Sequence, residues 1–277
     1  MTSLKNRTIF ITGASRGIGR AIALRCASEG ANIVIAAKTV EPHAKLEGTI
    51  FETAEAVENA GGKALPIQLD VREEAQVRDA LEKAATTFGG IDAVVNNAGA
   101  ISLTDVEHTP PKKFDLMMDI NARAVYLVTH CALPYLKKSP NAHVLSLSPP
   151  LNLSSKWLQP YAPYTLSKYG MTLLSLGMAE EFRAARIAVN TLWPRTLIAT
   201  AAVEFSVGSK DMFRLARKPE IMADATAEIL RTEGMMLTGR NLIDDAFLRE
   251  RGVSDFTRYA WDPAMANRLS IDLFVDD

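Results

Sequence analysis

The chain has 277 residues, 48% of them hydrophobic and 23% charged, an ordinary globular balance that excludes a largely disordered protein. A formal net charge of −1 gives no reason to expect nucleic acid or an anionic membrane as the main partner. The two cysteines, Cys26 and Cys131, lie in apolar helical patterns with no Cys/His cluster nearby, so they read as buried free thiols rather than a disulfide or a metal site.

The first residues run straight into the strand-like "TIFIT", leaving no room for a signal peptide, and no apolar run approaches the ~18 residues of a membrane helix. The expected location is the cytoplasm. "RTIFIT" (7–12) reads as a strand, and "GIGRAIALRCASEG" as a helix stopped by glycine. "NIVIAA" (32–37) is the next strand, 52–62 a helix, "KALPIQLDV" (63–71) a strand, and 73–90 a helix. "IDAVVNNAG" (91–99) gives a strand and turn, 112–137 a long helix, and "HVLSLS" (143–148) a strand. A helix then carries Tyr164 to about residue 185, and "IAVNTLW" (187–193) is a further strand.

Continuous apolar strands separated by helices predict an α/β fold: one doubly wound parallel sheet, Rossmann-like, with helices on both faces. No repeat or composition break marks a second domain, so residues 1–277 read as one. Residues 38–50 lengthen the loop after the second strand, residues 194–218 interrupt the rhythm, and residues 246–277 form a tail the pattern does not place.

"TGASRGIG" (12–19) joins the first strand to the first helix. Gly13, Gly17 and Gly19, spaced G-x-x-x-G-x-G, allow a tight turn and close backbone approach, and the helix N-terminus behind them favours a pyrophosphate. A glycine-rich turn alone is weak evidence, because many strand–helix joints carry glycine for packing; its place after the first strand strengthens it. Where dinucleotide enzymes often place an acid on the ribose hydroxyls, at the end of the second strand, this chain has Ala37 followed by Lys38. With Arg16 in the glycine loop, two cations and no carboxylate suit a 2′-phosphate, so NADP(H) is expected over NAD(H).

Tyr164 and Lys168 are four apart, so on a helix they share a face. Of the six tyrosines, only Tyr164 has lysine at that spacing. A phenol with a pKa near ~10 exchanges protons poorly at neutral pH, and a nearby ammonium would lower it. Tyr164 could then protonate a carbonyl oxygen, or deprotonate an alcohol in reverse.

In their order along the chain, "TGASRGIG", Asp70-Val71, "NNAG" (96–99), Asn121, the Tyr164/Lys168 pair and Pro194 resemble the short-chain dehydrogenase/reductase family over residues 5–245. "AAKTVEPHAKLEGTI", "LSPPLNLSSKW" and "LWPRT" resemble more narrowly a subgroup whose members can carry a sterol-carrier domain, which is not expected here. The resemblance implies a homo-oligomeric oxidoreductase. Ser15, Arg16 and Ile18 would join the three glycines in holding the cofactor, Asp70 and Val71 would hold the adenine, and Asn97, Ala98 and Gly99 would line the nucleotide. Lys168 would also hold the nicotinamide ribose, and Asn121 would hold a water on a relay to that lysine. Asn121 also reads as a buried asparagine bonded to backbone.

The sequence departs from the family in three places. The usual catalytic serine, thirteen positions before the tyrosine, falls on Leu151; aligning the strand instead puts Ser148 on the first family serine and Pro149 on the second. Ser148 needs the smallest shift to serve Tyr164, Ser154 and Ser155 are the loop alternatives, and a site with no serine is the remaining one. After the sixth strand, Pro194-Arg195 replaces Pro-Gly, and Thr196 or Thr200 would contact the carboxamide, with Thr196 taken here. "IDDAF" (243–247) replaces Asp-Gly-Gly, where the family's common tetramer forms.

Residues 194–218 fall where the family has its substrate lid. They carry Phe205, Met212 and Phe213, which with Trp157 and Trp193 suggest an apolar, lipid-derived carbonyl or alcohol. Lys210, Arg214, Arg217 and Lys218 form a basic cluster that reads as a solvated lid helix, or as a seat for acyl-CoA phosphates. A catalytically decayed nucleotide sensor on the same fold is the rival reading.

Overall fold

The computed structural model describes residues 2–42, 47–207 and 210–276, without the side chains of residues 205–207 and 210. Seven strands form one parallel sheet in the order β3-β2-β1-β4-β5-β6-β7. They are β1 (Thr8–Thr12), β2 (Asn32–Ala37), β3 (Lys63–Gln68), β4 (Ala93–Asn96), β5 (Ala142–Ser146), β6 (Ile187–Trp193) and β7 (Asn241–Ile243). Register is fixed along the central strands, with Ile9 opposite Ile33 and Ala93, and Leu145 opposite Val95 and Asn190.

Burial explains why the strands read as continuous apolar runs. Side chains alternate between two cores: Ile9, Ile11, Ile33 and Ile35 face one way, and Phe10, Val34 and Ala36 the other. The first face is covered by α1 (Gly17–Ala27), α2 (Ile50–Asn59), α9 (Glu220–Arg231) and α10 (Asp244–Glu250). The second is covered by α3 (Glu74–Phe88), α5 (Ala124–Leu136) and α7 (Ala162–Glu181). This is the expected doubly wound sheet, and among the described residues no helix is long and apolar enough to cross a membrane. Cys26 and Cys131 are free and buried, as the helical pattern required.

Several boundaries differ for local reasons. β3 stops at Gln68 rather than residue 71, and as the sheet's edge strand it accommodates Pro66. α2 starts at Ile50 because Thr49 and Glu52 form a reciprocal capping box. The long helix predicted over 112–137 is two pieces, α4 (Pro111–Met117) and α5, joined by a π-helical stretch, Met118–Arg123, that contains Asn121. Such bulges are frequent at functional sites.

The strand order reverses between β1 and β4, so their following loops diverge and leave a crevice at the carboxyl end of the sheet. After α6 (Ser155–Leu158) and β6, the chain adds α8 (Ala201–Val207) and a 3₁₀ segment, Lys210–Leu215. The tail does not trail into solvent. Leu197 N–H donates to Ser270 O at 3.0 Å, Ser270 N–H to Leu215 O at 2.8 Å, and Asp272 N–H to Arg195 O at 2.9 Å, laying the tail along residues 195–197.

Candidate active site

Polar side chains hold the crevice in shape. Asn97 Nδ2 donates to Thr12 O at 2.8 Å and to Gly13 O at 3.0 Å, while Asn97 and Ala98 N–H groups both donate to Thr12 Oγ1 at 3.0 Å. The glycine loop is thereby stapled to the end of β4. Gly13 sits at φ +66°, and a Cβ there would lie 2.9 Å from Ala98 Cα; at Gly19 it would lie 2.5 Å from Asn97 Nδ2 and 2.6 Å from Gly13 O. Side chains at these positions would disrupt the turn itself.

A cleft of about 420 Å³ opens over this loop, lined by Gly13, Ser15, Arg16, Gly17 and Ile18, by Ala37 and Lys38, by Asp70 and Val71, and by Asn97, Ala98 and Gly99. Asn121, Tyr164 and Lys168 line it too, so the tyrosine–lysine pair shares one cleft with the glycine loop. Gly19 lies beneath the loop. The cradle of small residues, the α1 N-terminus and the flanking cations fit a dinucleotide.

At the rim, Lys38 Nζ lies 3.3 Å from Asp70 Oδ2, and Arg72 grips the same carboxylate at 2.6 Å. The Arg72 hydrogen bonds, with Lys38 adding to them, hold the Asp70 carboxyl well below its usual range. Arg16 donates to Glu47 O at 2.9 Å and Gly48 O at 2.8 Å, tying those two residues to the glycine loop.

The chemical end is drier. Tyr164 and Lys168 are each 6% exposed, on α7. Lys168 Nζ donates to Leu147 O at 2.6 Å and sits 4.9 Å from the Trp193 ring centroid. Burial lowers the Lys168 ammonium to about 7, and burial raises the Tyr164 phenol above its ordinary value. The second shift reverses the expectation that Lys168 would lower the tyrosine: desolvation prevails, and the ammonium donates its bond to a backbone carbonyl. Asn121 accepts from Ala100 N–H and donates to Ala100 O and to Ser167 Oγ, each at 2.9 Å. Its amide clamps the turn after β4, the backbone-bonded solution the sequence also allowed.

Ser148 is elsewhere. It is fully buried, absent from the cleft wall, and its Oγ accepts from Thr172 Oγ1 at 3.0 Å, two helical turns beyond Tyr164 on α7. Past the end of β5 at Ser146, a local turn sets Ser148 against α7, which sequence alignment alone could not reveal. Ser154 and Ser155 are exposed at the start of α6. Thr196 is buried and bridges the tail at Ile271, whereas Thr200, the alternative, lines the cleft beside Gly17. Pro194 closes β6 and is likewise outside the cleft wall. Ala100, Ile101 and Ala201 line the cleft without having been singled out; as small or apolar loop residues they carry no chemical signature.

The described side chains of the basic cluster each have a partner within the chain. Arg217 is buried beside Asp244 and Asp245, Arg214 pairs with Asp262 at 3.0 Å, and Lys218 donates to Arg258 O. Arg214 remains largely exposed, in keeping with the solvated face, while the burial of Arg217 against two aspartates departs from it. The two aspartates of "IDDAF" cap this buried network, with Asp245 also gripping Arg195 at 2.8 Å. Phe213 stacks edge-on to Trp261, while the side chains of Phe205 and Lys210 lie outside the described residues.

With this geometry, residues 7–207 match the family model for short chain dehydrogenase. The chain belongs to the short-chain dehydrogenase/reductase family. It is 53% identical over 269 residues to hydroxysteroid dehydrogenase-like protein 2 of Danio rerio, covering 97% of this chain and 64% of that protein. The chain spans only 51% of the Rattus norvegicus counterpart, so these relatives are substantially longer. A solved short chain dehydrogenase from Mycobacterium thermoresistibile superposes with a TM-score of 0.93 at 48% identity, covering 99% of this chain and 97% of that one. A metagenomic short-chain oxidoreductase in complex with NADP gives a TM-score of 0.72 at 26% identity, over 87% of this chain and 98% of that one. The family enzymes are oxidoreductases, and this chain carries their fold from end to end.

Proposed function

We propose that the protein is an NADP(H)-dependent oxidoreductase that interconverts a carbonyl and an alcohol in an apolar, lipid-derived molecule. The observation that carries this reading is the placement of Tyr164 and Lys168, both buried, in the same cleft as the glycine loop. A bound nicotinamide supplies or accepts the hydride. Tyr164, kept protonated by burial, donates its proton to the carbonyl oxygen as negative charge develops there. Lys168, ionising near neutrality, holds its Nζ between Leu147 O and Trp193 and is suited to the nicotinamide ribose. Asn121 and Asn97 act as positioning residues, fixing the turn after β4 and the glycine loop.

The preference for NADP(H) rests on Ala37, which leaves the end of β2 without an acid, and on Lys38 and Arg16 at the cleft rim. Asp70, the nearest carboxylate, is neutralised by Arg72 and Lys38. Residues 194–218 act as the substrate lid in this reading. Thr200, rather than Thr196, takes the carboxamide contact, and the tyrosine works without a serine because Ser148 is fully buried and absent from the cleft wall. That last feature also favours the rival, a nucleotide sensor without turnover.

The deciding experiment measures NADPH oxidation against a panel of apolar aldehydes, ketones and enoyl thioesters, with Tyr164→Phe alongside. The expected result is turnover on a carbonyl, reduced about 10³-fold in the variant while NADPH affinity holds. NADPH binding with no turnover across the panel would replace the enzyme by the sensor.

A further inference from the structure

The carboxyl-terminal strap carries an assignment that the cofactor half of the molecule does not. Phe274 is 1% exposed, and its ring centroid lies 5.3 to 6.3 Å from those of five other aromatic residues: Trp157, Tyr161, Tyr164, Tyr169 and Trp193. No other side chain in the described residues has so many ring neighbours. The ring lies 6.1 Å from that of Tyr164, tilted by 31°. The cleft reaches Tyr164 and Lys168 from the nucleotide side, and Phe274 is not part of its wall. Phe274 thus packs on Tyr164 without forming part of that cleft's wall.

The strap is fastened on both sides of Phe274. Before Phe274, Ile271 bridges Thr196, and Trp193 Nε1 donates to Leu273 O at 2.9 Å. After it, Asp276 pairs with Lys156 at 2.5 Å and accepts from Asn152 Nδ2 at 2.8 Å. Phe274 itself sits at φ +70°, a left-handed backbone that a bulky side chain adopts only when its surroundings hold it there.

We propose that Phe274 is a specificity-determining residue: it forms the wall of the substrate site against Tyr164 and limits the size of the apolar group beside the reacting carbonyl. The proposal rests on the carbonyl/alcohol reading given above. Shortening the side chain opens apolar space next to the tyrosine, and each added methylene that fits an apolar pocket is worth about tenfold in selectivity.

The test uses the whole chain carrying Phe274→Leu or Phe274→Ala. Binding of 2-butanone and 2-octanone is followed by tryptophan emission, since Trp157 and Trp193 both touch Phe274, and kcat/KM for each ketone is measured with NADPH. The expected result is affinity for 2-octanone raised about tenfold relative to 2-butanone in the alanine variant, with a smaller rise in the leucine variant and NADPH affinity unchanged. An unchanged ratio in both folded variants overturns the proposal, as does an unchanged ratio in Phe274→Leu if the alanine variant does not fold. The two readings fail separately. Ketone binding that shifts with chain length without any turnover would leave the wall in place and remove the oxidoreductase; turnover with an unmoved size preference would do the reverse.

Discussion

The nucleotide end and the chemical end of this molecule are built in different ways. The first is assembled from short stretches at the carboxyl ends of β1, β2 and β4, fastened by Asn97 and Thr12 and rimmed by charges. The second draws together β6, α7 and a tail more than a hundred residues further along than Tyr164, and it is closed by aromatic rings around Phe274. Polar staples fix a backbone to receive phosphates, whereas aromatic packing excludes water and raises the cost of charge. The opposite displacements of Tyr164 and Lys168 follow from that dryness.

If the two ends are separable, each can be altered alone. At the rim the expected effect is large. Placing a carboxylate at the end of β2 with Ala37→Asp should shift the preference from NADPH toward NADH by about a hundredfold, through repulsion of the 2′-phosphate and a new ribose acceptor. Titrating both nucleotides would detect it, and an unmoved preference would mean that Lys38 and Arg16 do not read the phosphate.

A smaller effect is expected from the buried lysine. Lys168 ionises at about 7 in the folded protein against 10.5 ordinarily, so the unfolded chain binds more protons between those values. Its destabilising contribution is fully present below pH 7 and is relieved as pH rises toward 10.5. Lys168→Met should therefore raise Tm at pH 6 by ~2–4 °C, with the advantage shrinking toward pH 10, while turnover is lost. Thermal unfolding across that range would reveal the trend, and a variant less stable at pH 6 would show that the bond to Leu147 O outweighs the desolvation.

The smallest effect sharpens the account of the missing serine. Ser148→Ala removes one buried hydrogen bond to Thr172 and should cost ~1 kcal/mol of stability. Its kcat should stay within about threefold of the parent, as expected of a residue that does not stabilise the reacting oxygen. A hundredfold loss of kcat would return Ser148 to the catalytic set.

The difference between the two ends also explains what the sequence made legible. The nucleotide cleft depends on glycines whose missing side chains are visible in the letters, so Gly13 and the absent acid at Ala37 could be read directly, whereas Asn97 came only with the family resemblance. Tyr164 and Lys168 were legible because a helix converts their spacing into a shared face. Ser148 was not, since it lies past the end of β5, where a local turn rather than strand alternation decides which way it points. Nor was Phe274: a lone phenylalanine near the end of a chain becomes informative only once the tail has crossed to α7. The burial of Arg217 was not legible either, because its carboxylate partners, Asp244 and Asp245, lie well along the chain.

The central claim is hydride transfer with Tyr164 as proton donor, and isotope transfer tests it most directly. NADPH deuterated at the transferring position of the nicotinamide would be incubated with the best carbonyl substrate and the alcohol examined by mass spectrometry. The account predicts one deuterium on the former carbonyl carbon, formed by the parent protein and almost absent with Tyr164→Phe. Alcohol without the label, or labelled alcohol formed equally well by the variant, would contradict it.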